Sequence, residues 1–240
     1  MQKSEIKKYI MFTMLLFVCA VSIFSFFVVV KISPKQYTSI EIIKLINSDN
    51  INERQLGYHA CINKKIEEEL LEEIRQSISQ NIDRHDIEES ELFSLLFALT
   101  RNKDILPKSF PKVILNVVTN KNYDHGIRKL ALNVIAMYGP DAREALPALE
   151  VIVLDKKDFG ERWARYAVEA IGAIGPPVSD AIIMALVEEV KAKQMPLDHT
   201  CARALAKLGI KGLSALKILT MENDEDISWM AKDAIKRSTN

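Results

Sequence analysis

The strongest constraint on how this chain folds is a recurrence in its second half. Ile127-Arg-Lys-Leu-Ala-Leu-Asn-Val-Ile-Ala-Met-Tyr-Gly-Pro140 returns 36 residues later as Trp163-Ala-Arg-Tyr-Ala-Val-Glu-Ala-Ile-Gly-Ala-Ile-Gly-Pro176. A further copy runs from Leu197 to Gly209, and a half-copy from Ile227 to Ile235. A fixed period of this length means that each unit is one supersecondary element that buries its apolar face only by stacking on neighbours. One column holds Ala131, Ala167, Cys201 and Ala231, and the column three residues on holds Val134, Ala170, Ala204 and Ala234. Small residues three apart share a helix face and let a neighbouring helix come close. Ile135, Ile171, Leu205 and Ile235 add a larger apolar residue to the same stripe. Gly139, Gly175 and Gly209 then stop each helix.

A second helix follows in each copy. Ala145, Ala181 and Ala215 share a column there, with Leu146, Ile182 and Leu216 beside them. Weaker copies run upstream: Ala98-Leu99 precedes Val134-Ile135 by 36, and Phe110-Pro111 precedes Leu146-Pro147 by the same interval. The chain therefore reads as all-α, an α-solenoid of about five helical hairpins from Thr38 onward that ends on a lone helix. Cys61 and Cys201 both occupy first-helix stripe columns, four units apart. Packed helices lie about 8–10 Å apart, whereas a disulfide needs Cα atoms within about 7 Å, so both thiols are expected to stay free.

The Ile127-Arg128, Ala131, Val134-Ile135 and Gly139-Pro140 pattern, with its copies, resembles HEAT repeats, most closely the short bacterial kind related to phycobilisome-lyase HEAT-like repeats. The resemblance covers residues 90–237 well and 38–89 loosely. The spacing is shorter than the roughly 40–47 residues of most HEAT units and near the TPR length of about 34, but the TPR pattern of Trp, Leu-Gly and Tyr is missing. The resemblance implies a right-handed solenoid with an extended binding surface. It also implies, as an alternative to a scaffold, an enzyme or chaperone that handles a bilin chromophore in the manner of a lyase.

Ahead of the repeats, Tyr9 to Val30 is a run of 22 residues without a charged side chain. As a helix it would be about 33 Å long, enough to cross a hydrocarbon core of about 30 Å. A transmembrane anchor over 9–30 is thus expected, with 1–8 as a cytoplasmic N-terminus, 31–37 as linker and 38–240 as the HEAT-like repeat domain. A cleaved signal peptide is the competing reading, with Val18-Cys19-Ala20 as its site, although apolar residues continue to Val30. Lys3, Lys7 and Lys8 before the span outnumber Lys31 and Lys35 after it, which predicts a single-pass cell-membrane protein with its repeat domain outside the cytoplasm.

Chemistry-bearing motifs are sparse. None of the four histidines is followed by Glu, which disfavours the paired His-Glu ligands of HEAT-like di-iron hydroxylases, and no phosphate-binding loop, Gly-x-Ser-x-Gly or Cys-x-x-Cys occurs. His85-Asp86, Asp124-His125 and Asp198-His199 read as polar loop and first-turn residues rather than metal ligands. Neither a cofactor nor catalysis is expected. The first 35 residues hold five Lys and one Glu, so the remainder of this formally neutral chain is acidic, and nucleic acid is not an expected partner. The expected partners are a protein and, through the N-terminal segment, the lipid bilayer. Contacts with the protein are assigned to Arg143, Glu150, Glu188 and Lys217, on second helices taken to line the inner face, and to Trp229. Trp229 stands in a column otherwise filled by Lys129, Arg165 and His199, whereas Trp163 falls in a core column.

Overall fold

The structure, a computed structural model, describes residues 36–62 and 64–238. The segment Tyr9–Val30, Cys19, the flanking lysines and the linker up to Lys35 lie outside the described residues. Ser39–Asn240 forms one compact unit and is described by itself. Among the described residues it is all-helical, without strands, and no helix there is long and apolar enough to cross a membrane.

In chain order the helices are α1 (Ser39–Ile46), α2 (Ile51–Cys61), α3 (Glu68–Ile82), α4 (Glu89–Arg101), α5 (Val113–Thr119), α6 (His125–Tyr138), α7 (Leu146–Leu154), the single turn α8 (Lys156–Phe159), α9 (Glu161–Ile174), α10 (Asp180–Ala192), α11 (Leu197–Lys207), α12 (Gly209–Leu219) and α13 (Glu225–Ser238). Short 3-10 stretches at Lys103–Ile105 and Gly139–Ala145 connect two of the pairs. The first helices α2, α4, α6, α9, α11 and α13 contact one another in that order, and α7, α10 and α12 form a second row beside them. This two-row stack is compatible with an α-solenoid.

The repeat columns become its core. Ala131, Ala167, Cys201 and Ala231 are buried, as are Val134, Ala170, Ala204 and Ala234. A Cβ added at Gly172 would lie 3.2 Å from the Cα of Ala204, so α9 and α11 approach almost backbone to backbone. Gly139 and Gly175 end α6 and α9 at φ +56° and +77°, a region open to glycine at no steric cost. Asp124 starts α6 by accepting from the Gly126 N–H at 2.6 Å, and Ser179 starts α10 by accepting from the Ile182 N–H at 3.2 Å. Ile235, in the last of the described helices, is alone of its column in being only half-buried.

The N-terminal units are held differently. Arg54 on α2 meets Glu91 on α4 through two parallel bonds, Nε to Oε1 at 2.6 Å and Nη2 to Oε2 at 2.8 Å. The remaining Arg54 donor, Nη1, reaches the carbonyls of Ser48 and Asp49 at 2.9 Å each, and the Tyr58 hydroxyl donates to Glu91 Oε1 at 3.2 Å. Glu91 is 0% exposed. Polar ties also replace apolar ones where the buried Asn81 amide donates to the Ile46 carbonyl and the half-buried Asn102 amide to the Cys61 carbonyl, both at 2.8 Å. In α3 the buried apolar stripe is Ile74, Ile78 and Ile82, on a helix that packs against the eight-residue α1.

Both described cysteines are free and buried, in line with their stripe columns. Burial pushes the Cys61 thiol up to about 12, and Cys201, which also faces the charges of Glu189 and Asp198, is pushed up as well. Since the thiolate is the reacting form, alkylation of Cys61 and Cys201 at pH 8 is expected to be at least about 100-fold slower in the folded chain than in urea, as read by peptide mapping. Rapid labelling of either residue in the folded chain would contradict this packing.

Candidate functional site

Successive first helices contact one another far more extensively than successive second helices do. The small-residue columns are the cause, because they permit the close approach.

Along these first helices runs a ladder of aromatic and cationic side chains, broken between α9 and α11. His125 at the start of α6 stacks on Trp163 of α9, with centroids 5.3 Å apart and planes 16° from parallel. Beneath them Arg128 is buried, its guanidinium 4.5 Å from the Trp163 ring centre while Nε and Nη2 donate to the Val118 carbonyl at 3.2 and 3.1 Å. Burial draws its pKa down from the usual arginine value. On the surface, the Lys129 ammonium stands 5.3 Å and the Arg165 guanidinium 4.8 Å from the Tyr166 ring. Cations over ring faces contribute about 0.5–1 kcal/mol each when exposed.

The ladder ends at Trp229, which is 58% exposed and meets His199 edge to face at 6.0 Å. Between α11 and α13 these two rings wall a cleft of about 140 Å³ floored by Ala202 and Ala234. Arg203 and Asp233 lie on its rim. The small floor residues belong to the stacking columns or lie beside them, so the features that bring the helices together also leave room above them.

Charges are used differently on the two rows. On the second row and its loops they tie each unit to the next: Lys156 pairs with Glu189, Lys211 with Asp180 at 2.5 Å, Lys191 with Glu222 at 2.9 Å, and Lys193 with Asp224 at 2.8 Å. On the first row Lys129, Arg162, Arg203, Lys207 and Lys232 are all exposed. No described carboxylate pairs with any of these five.

The sequence-derived contact residues fall into three groups. Arg143 donates to the Pro176 carbonyl at 2.8 Å and Glu150 accepts from the Ser179 N–H at 3.2 Å, so both fasten one unit to the next. Glu188 and Lys217 are exposed on the second row, away from the ladder. Trp229 is the one that the structure joins to other candidate residues. Tyr166 and Arg203 did not emerge from the sequence, although their neighbours Arg165 and His199 stood in the column that marked Trp229. The acidic-histidine pairs act locally: Asp86 holds Arg84 at 3.0 Å, Asp124 caps α6, and Asp198 accepts from the His199 N–H at 2.6 Å. Among the described residues no group of three or more His, Cys, Asp or Glu side chains is arranged to hold a metal ion.

No family model matches the chain, and no curated protein matches it. Among solved structures it is similar to an engineered protein from the Northeast Structural Genomics Consortium, at a TM-score of 0.53 and 16% identity, over 85% of this chain and 97% of that one. At that identity the likeness concerns the fold alone.

Proposed function

We propose that this chain is a HEAT-like repeat scaffold that is tethered to a membrane by its N-terminal apolar segment and binds a protein partner on its first-helix face. The observation that carries this reading is Trp229, a large aromatic more than half exposed beside an open cleft and in edge-to-face contact with His199. Exposed Trp, Tyr and Arg side chains around a cleft are the groups that dominate binding energy at protein interfaces. The 22-residue uncharged run supports the tether, and the repeat columns support the HEAT-like assignment.

A photoreactive residue placed at position 229 of the full chain tests both parts together. A covalent adduct with another protein is expected, in a membrane fraction that survives carbonate washing, and a probe placed at Glu188 on the other row is expected to give none. Adducts formed equally from both positions, or only in the soluble fraction, would count against the reading. Trp229→Ala is expected to weaken the captured interaction by at least about 10-fold while leaving helical content unchanged, because the side chain is surface-exposed.

A further inference from the structure

Stacking accounts for four lysines of the second row and its loops and leaves a set of first-row cations unexplained. Lys156, Lys191, Lys193 and Lys211 are each matched by a carboxylate of a neighbouring unit. Lys129, Arg162, Arg203, Lys207 and Lys232 have no such match, yet they stand exposed on four successive helices, α6, α9, α11 and α13. Two of the carboxylates that share this face are engaged on their own helices, Glu169 by Arg165 at 3.9 Å and Asp233 by Arg237 at 2.8 Å, and Glu161 at the start of α9 is exposed. What this face offers to a ligand is therefore an excess of positive charge, distributed over successive helices together with the rings of Tyr166, His199 and Trp229.

Stacked helices repeat every 8–10 Å or so. An extended peptide rises about 3.3 Å per residue, so a carboxylate at every third position advances about 10 Å and keeps step with the helices. The cleft beside Trp229, about 140 Å³, is close to the cavity of about 150 Å³ that accommodates a benzene ring, and so has room for one apolar side chain. A phosphate backbone fits less well. Its charges are spaced every few ångström, far more densely than the cations on these helices.

We infer that the first-helix face from α6 to α13 takes an extended acidic segment of a protein, with one apolar side chain of that segment seated against Trp229. This rests on the scaffold reading and adds the chemistry of the partner. Ligand carboxylates meet Lys129, Arg162 and Arg203 in turn, and the apolar residue sits past the last of them.

The probe is a fluorescein-labelled 13-residue peptide with Glu at every third position, one Phe near its end and Ser elsewhere, titrated by anisotropy against the full chain in neutral detergent. Binding is expected to weaken with added salt, and to fall at least about 10-fold with Trp229→Ala and with the pair Lys129→Glu and Arg203→Glu. Replacing the peptide's Phe by Ser is expected to cause a loss that Trp229→Ala does not deepen. Glu188→Lys and Lys217→Glu, on the other row, are expected to change little. Equal binding of a peptide with Lys in place of Glu would overturn the inference. Tighter binding of a thymidine 13-mer at the same salt would overturn it in favour of nucleic acid, and failure of the acidic peptide to bind would overturn it outright. If adducts still formed at position 229 in that last case, the scaffold reading would stand without its acidic partner; if they did not, both would fall.

Discussion

Replacing Glu91 by alanine is expected to destabilise the N-terminal units by about 3–5 kcal/mol, the usual cost of removing one member of a buried ion pair. The Arg54 guanidinium is 6% exposed and directs two of its donors at this carboxylate, so the change leaves a buried cation facing a void. The bond to Glu91 is the largest cause holding the Arg54 pKa above its ordinary value in the parent, and with it gone the arginine still keeps its charge, as arginine does throughout proteins, so neutralisation is no escape. Tyr58, whose own pKa is raised chiefly by burial, loses its acceptor in the same step. Replacing both partners, with Arg54→Met and Glu91→Leu, is expected to be milder than Glu91→Ala, because no uncompensated charge remains. It should still be destabilising, since the Ser48 and Asp49 carbonyls lose their donor. Hydrogen exchange on the full chain separates these outcomes, with the loss of protection expected in α2 and α4 before α9 and α11, as interactions in a stacked array are between neighbours. A Glu91→Ala chain within about 1 kcal/mol of the parent would show that the network is dispensable.

How much of this was legible in the sequence depends on where a small residue had to be. In α6, α9, α11 and α13 the close approach of first helices demands Ala, Cys or Val at fixed columns, so register, helix ends and the burial of Trp163 could be read directly. Upstream the demand is met by polar pairs. Arg54 with Glu91 and Asn81 with the Ile46 carbonyl fasten units through side chains that obey no hydrophobic period, and the match there was loose for that reason. The site divides along the same line. Trp229 was visible because an aromatic in a polar column is out of pattern. Arg143 and Glu150 were indistinguishable from surface charges until their backbone partners, 33 and 29 residues away, were in place. Those separations are close to one repeat length, as are the 33 of Lys156 with Glu189 and the 31 of Lys193 with Asp224. Opposite charges one unit apart were therefore a readable sign of inter-unit ties along the second row and its loops.

The C-terminal hairpin gives the second large effect, at Gly212. Three residues after the helix-stopping glycine, the three clearest units carry Ala142, Val178 and Gly212. The first two tolerate a side chain because a connector intervenes, the 3-10 stretch Gly139–Ala145 in one unit and the segment from Gly175 to Ser179 in the other. In the last unit α11 ends at Lys207 and α12 begins at Gly209, so the helices turn on each other at once. A Cβ at position 212 would lie 2.0 Å from the Leu205 carbonyl oxygen and 2.9 Å from its carbon. Both atoms belong to backbone, which cannot rotate aside as a side chain does, so α12 must lift away from α11 and carry its contact with α13 along. Gly212→Ala is accordingly expected to cost about 3 kcal/mol, at the upper end for overpacking, despite the better helix propensity of alanine. Ala142→Gly, at the equivalent position behind a connector, is expected to cost only about 1 kcal/mol. Since α13 carries Trp229 and α11 carries His199, displacement of α12 should also open the cleft. Early loss of hydrogen-exchange protection in α12 and α13 together, with a faster-quenched Trp229, is the result to look for in the Gly212→Ala chain. Protection unchanged from the parent would mean that α11 and α12 are not packed this closely.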